Sequence, residues 1–194
     1  GFFLVASAVV FTFLAIVLPG VCLQRAARVG VDWALVVPLG AAFCAASWWA
    51  CLWIGAWWCF PVAIASVAIA GLRAGGLKIV PSQPSLWGAL PPLLVMGTIL
   101  LMARSGDMGF QGGAYHVSSM SAHDDAIHVA LAWEFQSEPI PQVPGFAGRR
   151  FGYHIGPDLV RAALVRFTAL SPYQSLVQVE PMVALLALIL ALRG

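Results

Sequence analysis

The chain predicts an all-α fold, a polytopic transmembrane helix bundle with two short membrane-surface helices in one outer loop. Three observations carry that expectation. The sequence is 61% hydrophobic and 9% charged, with a mean hydropathy of +0.89, whereas soluble domains carry roughly 25% charged residues. Residues 33–72 contain no Asp, Glu, Lys, Arg or His. The polar residues gather in one island: all four histidines and six of the eight acids lie within residues 104–173.

The elements follow in order. A spanning helix needs about 20 mostly apolar residues. Residues 2–23 qualify, ending near Pro19-Gly20. The uncharged stretch is too long for one span and reads as a helical hairpin, with spans over 33–53 and 57–73 and a break between Gly55 and Pro61. Trp48, Trp49, Trp53, Trp57 and Trp58 crowd that break. Indoles favour the membrane–water interface, so the cluster fits a turn at headgroup level, with aromatic packing between helices as the alternative. Residues 86–103 form a fourth span, and residues 174–192 begin a fifth, interrupted by Glu180-Pro181. The apolar run starts at residue 2 and another stops at Arg193-Gly194, so the chain reads as an N-terminal piece whose partner is the remainder of the same polypeptide.

Charge sets the expected orientation. Arg25 and Arg28 follow the first span, Arg73 and Lys78 follow the third, and the hairpin between the second and third has no cation. Short positive loops stay cytoplasmic, which places the 104–173 loop outside a cell membrane. The net charge of +2 and the lack of a basic run point away from nucleic acid. Cys22, Cys44, Cys51 and Cys59 all sit in or beside apolar segments and read as packing residues rather than disulfides or metal ligands.

Within the island, Ile127, Leu131 and Phe135 recur at helical spacing and predict a short helix over 124–136. The run Glu138-Pro139-Ile140-Pro141-Gln142-Val143-Pro144-Gly145 predicts a loop through 153. A second helix is expected over 157–170, opened by Pro157 and stopped by Ser171-Pro172. Leu159, Ala163 and Phe167 give it an apolar stripe, with Arg161 and Arg166 polar. Both helices are too short to span and fit a position along the membrane surface.

The candidate chemistry centres on His123-Asp124-Asp125-Ala126-Ile127-His128. Asp124 and Asp125 precede His128 by four and three residues, so either pair shares a helix face. Crowded, partly buried carboxylates can deprotonate a hydroxyl. With His128 they can also hold a divalent cation such as Mg or Mn. The competing structural role is local: Ser121-x-x-Asp124 matches a capping box, and a first-turn Asp125 complements the helix dipole. Asp125, with the weaker structural role, is the stronger catalytic candidate. Arg149, Arg150, Tyr153 and His154 form a second constellation, suited to phosphate or to anchoring at lipid headgroups.

The runs Asp124-Asp125-Ala126-Ile127-His128-Val129-Ala130-Leu131, Pro144-Gly145-Phe146-Ala147-Gly148-Arg149 and Tyr153-His154-Ile155-Gly156 resemble the first large outer loop of C-type (GT-C) membrane glycosyltransferases. The chain looks like bacterial multi-pass members related to polyprenyl-phosphate-sugar-dependent mannosyl- and arabinosyltransferases. The resemblance covers residues 120–172 and implies a lipid-linked sugar donor and a transfer to an acceptor hydroxyl at the outer membrane face. It implies that Asp124 and Asp125 take the acidic positions, as base or metal ligands, and that Arg149, Arg150 and His154 contact phosphate or acceptor. In that family the acidic loop follows the first span, whereas here four apolar segments precede it.

Two other classes remain open on sequence. One is a non-enzymatic membrane transport or assembly subunit, although Glu180 is the only acid inside an expected span, and transporters place ionisable groups there. The other is a metal-dependent membrane hydrolase using Asp124, Asp125 and His128.

Overall fold

A computed structural model of the chain describes residues 2–74, 109–111, 114–116, 122–143, 146–150 and 155–192. The expected span at 86–103 and the residues Tyr153 and His154 lie outside them.

The first helix runs without a break from Phe2 to Ala26, as α1 (Phe2–Thr12), a wide π-turn (Phe13–Val17) and α2 (Leu18–Ala26). The π-turn has a covalent cause. Pro19 has no N–H, and in a regular helix its ring would press on the carbonyl four residues back, that of Ala15. Widening the turn relieves the clash, and the Leu18 N–H bonds five residues back to the Phe13 carbonyl. The same arrangement recurs near the end of the chain. There α7 (Pro172–Gln174), a π-turn (Ser175–Val179) and α8 (Glu180–Ala191) form one helix. Pro181 now follows the wide turn by two residues, and the Glu180 N–H reaches the Ser175 carbonyl. A Ser171–Gln174 capping box opens this helix, with the Gln174 N–H donating to Ser171 Oγ at 3.1 Å.

Helix α3 spans Trp33–Ile54. Asp32 caps its start, its Oδ1 accepting from the Ala34 N–H at 2.9 Å. Gly55 ends it in the left-handed region at φ 71°, which a β-carbon would disfavour. The loop between α2 and α3 is held by Gln24. This buried side chain accepts from the Asp32 N–H at 2.8 Å and donates to the Asp32 carbonyl at 3.2 Å.

The first helix and α3 cross backbone to backbone at two reciprocal points. A β-carbon on Gly20 would stand 1.9 Å from the Val36 carbonyl oxygen, and one on Gly40 would stand 1.8 Å from that of Ile16. Small residues at such crossings let apolar helices pack by close contact where water provides no drive. Helix α4 (Cys59–Arg73) packs on α2 in the same manner, with Gly71 against Cys22.

Among the described residues, three helices are long and apolar enough to cross a membrane: Phe3–Ala26, Trp33–Ile54 and Pro172–Ala191. Helix α4 is apolar but has 15 residues. At 1.5 Å per residue it extends about 22 Å, short of a hydrocarbon core of about 30 Å.

Among the described residues between α4 and the last helix are two short antiparallel strand pairs and two helices. Strands β1 (Gly109–Gln111) and β2 (Ala114–His116) pair with each other, as do β3 (Gln142–Val143) and β4 (Phe146–Arg150). The architecture is therefore mainly helical with small β elements. The second hairpin falls where prolines predicted a plain loop: they exclude a helix, but extended backbone remains open to them at a strand edge. Glu134 supports this hairpin by accepting from the Gln142 N–H at 2.6 Å.

Helix α5 (Ala122–Glu134) and helix α6 (Gly156–Phe167) pack on each other, and α6 lies against α3. An aromatic knot joins them to α3 and α4. Phe167 stacks on Phe60 with ring centroids 5.2 Å apart, and both meet the buried Trp48 edge-on. Trp48 Nε1 donates to the Phe135 carbonyl at 2.9 Å, and Trp49 Nε1 to the Pro139 carbonyl at 2.7 Å. The tryptophan cluster thus serves two roles. Trp48 is core, while Trp49, Trp53, Trp57 and Trp58 are exposed near the α3–α4 turn, and Trp57 carries the Arg166 guanidinium 5.1 Å from its ring centre.

Candidate functional site

Helix α5 begins directly after Ser121, so Asp124 is its third residue and Asp125 its fourth. Those are the positions a capping box and the helix dipole favour. Asp125 is half-buried. The side chains of Asp124, Arg149 and Arg150 lie outside the description; the two arginines are placed on β4.

One turn after Asp125, His128 faces α6. Its Nδ1 lies 3.1 Å from both carboxylate oxygens of Asp158. Asp158 is fully buried in the first turn of α6, where the helix dipole favours its charge. Pro157, just before it, starts that helix without losing a hydrogen bond.

Arg161, one turn further along α6, is also buried. Its Nη1 donates to Asp158 Oδ1, and also approaches the His128 carbonyl at 3.4 Å. Its Nη2 donates to Glu180 Oε1 at 2.5 Å. The four side chains therefore run in series, His128–Asp158–Arg161–Glu180, and fasten α5 to α6 and α6 to the last long helix. An arginine fork suits this geometry because it can serve two carboxylates at once. The Arg161 Nε is buried without a hydrogen-bond partner among the described residues.

Sequence periodicity placed Arg161 on a polar face of α6, and the structure buries it. The reason is its pairing: a guanidinium held by two carboxylates can leave water where a lone one cannot. The network is also deep. Arg161 and Glu180 share a cleft wall with Ala41 and Ala45, which stand near the middle of the 22-residue α3.

The chemistry available follows from the His128–Asp158 contact. A carboxylate on Nδ1 favours the tautomer with its proton there and leaves the lone pair on Nε2, the arrangement that makes an imidazole a proton acceptor. Asp125 offers a second acceptor on the same helix, three residues earlier. Asp158, Arg161 and Glu180 escaped the sequence search for a site because they are 30, 33 and 52 residues beyond His128. The one available signal was a charged pair at i and i+3, Asp158 and Arg161, on a helix whose other charged residue is Arg166.

Among the described residues, no three His, Cys, Asp or Glu side chains converge as a cation site. The divalent-cation expectation turns on Asp124, whose side chain is not described, and no step below is routed through a metal.

No family model, curated protein or solved structure matches the chain.

Proposed function

We propose that the chain is part of a multi-pass membrane glycosyltransferase of the GT-C type, moving a sugar from a polyprenyl-phosphate donor to an acceptor hydroxyl at the outer membrane face. The observation that carries this reading is Asp125: a half-buried carboxylate at the start of a short helix that is fastened through His128 to α6 and the last long helix. A catalytic acid needs a rigid support, and the ionic series supplies one. Three helices of membrane-crossing length and character support the setting.

In this reading the acceptor hydroxyl gives its proton to Asp125 as its oxygen bonds to the anomeric carbon. The bond from that carbon to the phosphate oxygen breaks, and polyprenyl phosphate leaves with the electron pair. This reading assigns the phosphate charge to Arg149 and Arg150, which lie on β4, with Tyr153 and His154 following in sequence. The test is transfer by the full-length protein. Asp125→Asn should abolish it while membrane insertion stays intact; retained activity in both Asp124→Asn and Asp125→Asn would remove the assignment.

One observation favours a second reading, transport. Glu180 belongs to a charged series level with the middle of α3, and ionisable groups at that depth often mark solute paths. That reading requires flux of a charged solute into proteoliposomes that is lost in Glu180→Gln. Sugar transfer without any such flux eliminates it.

A further inference from the structure

Beside the ionic series lies a cavity of about 320 Å³, bounded by α1 and its π-turn, α3, α6 and the last helix. Its walls are apolar, with Phe11, Ile16, Leu164 and Val183 prominent, and both π-turns contribute, through Ile16 on one side and Ser175 and Val179 on the other. Wide turns of this kind tend to occur at functional sites. Among the described residues, Arg161 and Glu180 are the charged ones in its wall.

One buried polar atom there is unsatisfied, and one carboxylate oxygen belongs to a side chain only partly covered. Glu180 presents Oε1 to Arg161, and its Oε2 has no hydrogen-bond partner among the described residues, although the side chain is 40% exposed. The Arg161 Nε, on a side chain only 2% exposed, has none either among the described residues. A carboxylate oxygen against hydrocarbon-like walls needs a donor, and a buried N–H needs an acceptor. A hydroxyl is both. Its hydrogen can be given to Glu180 Oε2, and its oxygen can accept from the guanidinium after a small shift of that side chain.

An anionic head fits poorly, because two carboxylates already outnumber the one guanidinium in the series. A plain hydrocarbon would fill the walls but leave both polar atoms unpaired. We infer that the cavity binds a hydrophobic alcohol, an apolar chain or ring system carrying a single hydroxyl that docks on the Arg161–Glu180 pair. This goes beyond the transferase reading and does not rest on it, since it turns on Arg161 and Glu180, and Asp125 is not among the described residues that line the cavity.

The test uses a diazirine-bearing hexadecanol and the matching diazirine-bearing hexadecane, photolysed with the whole chain in lipid nanodiscs. The alcohol should label α6 and the last helix saturably, and more strongly than the alkane by at least about tenfold, the value of one hydrogen bond to a charged group. Ala42→Phe, which adds bulk to the wall at an exposed position, should remove the labelling. Glu180→Gln, which keeps the shape and weakens the acceptor, should reduce it towards the alkane level. Equal labelling by both probes, labelling that does not saturate, or labelling indifferent to Ala42→Phe would overturn the proposal.

Discussion

His128 and Asp158, 30 residues apart, meet with the imidazole Nδ1 equidistant at 3.1 Å from both carboxylate oxygens. The contact joins the helix that carries the acidic pair to a helix packed on α3. From there Arg161 passes the connection to Glu180 in the last long helix. The candidate acid at Asp125 is thus held by one series of charges rather than by a loop.

That series has a distinctive energetic signature. Removing Arg161 leaves the fully buried Asp158 carboxylate without its guanidinium, so Arg161→Met should destabilise the protein by about 3 to 5 kcal/mol. Removing the set together leaves no stranded charge. The triple variant Asp158→Asn, Arg161→Met, Glu180→Gln should therefore recover most of the loss. Denaturant unfolding in a fixed detergent checks both values; a triple variant less stable than the single one would contradict the series as drawn.

The crossing of the first helix with α3 depends on two hydrogens. Gly40→Ala places a β-carbon 1.8 Å from the Ile16 carbonyl oxygen, so the helices must separate. Overpacking of this kind costs about 1 to 3 kcal/mol, and Gly20→Ala should behave alike. Gly30→Ala is the control, because nothing lies within 4 Å of its added carbon. Thermal unfolding should rank Gly40→Ala well below Gly30→Ala, and equal midpoints would refute the close approach.

Trp48 is a fully buried aromatic link between α3 and the segment that follows α5. Trp48→Phe keeps much of the ring packing but strands the buried Phe135 carbonyl, which accepts its Nε1 proton. An unsatisfied buried acceptor costs about 1 to 3 kcal/mol. Trp53→Phe, at an exposed position, should change stability little. The comparison is read from unfolding curves of the two variants side by side.

Local pattern made some of this readable in advance. Uncharged length and hydropathy point to the long helices at Phe3–Ala26 and Trp33–Ile54, and Ile127, Leu131 and Phe135 trace the face of α5. Ser121 marks where α5 starts. What pattern could not supply was pairing between distant elements. Periodicity treats Arg161 as a surface residue, because only Asp158 and Glu180, brought in by the fold, make its burial tolerable. It groups Trp48 with its exposed neighbours, because nothing local tells which indole meets Phe60 and Phe167. The π-turns were likewise invisible as such, though Pro19 and Pro181 each announce a break in the regular ladder.

The central claim is that Asp125 serves a sugar transfer at the membrane. The most direct measurement is incorporation of radiolabel from a polyprenyl-phosphate sugar into acceptor by the full-length protein in proteoliposomes, wild type against Asp125→Asn. The account predicts transfer by the wild type and a loss of at least about a hundredfold in the variant, the scale of a missing general base, with equal amounts of inserted protein. Undiminished transfer by Asp125→Asn, or none by the wild type with competent donor and acceptor, would contradict it.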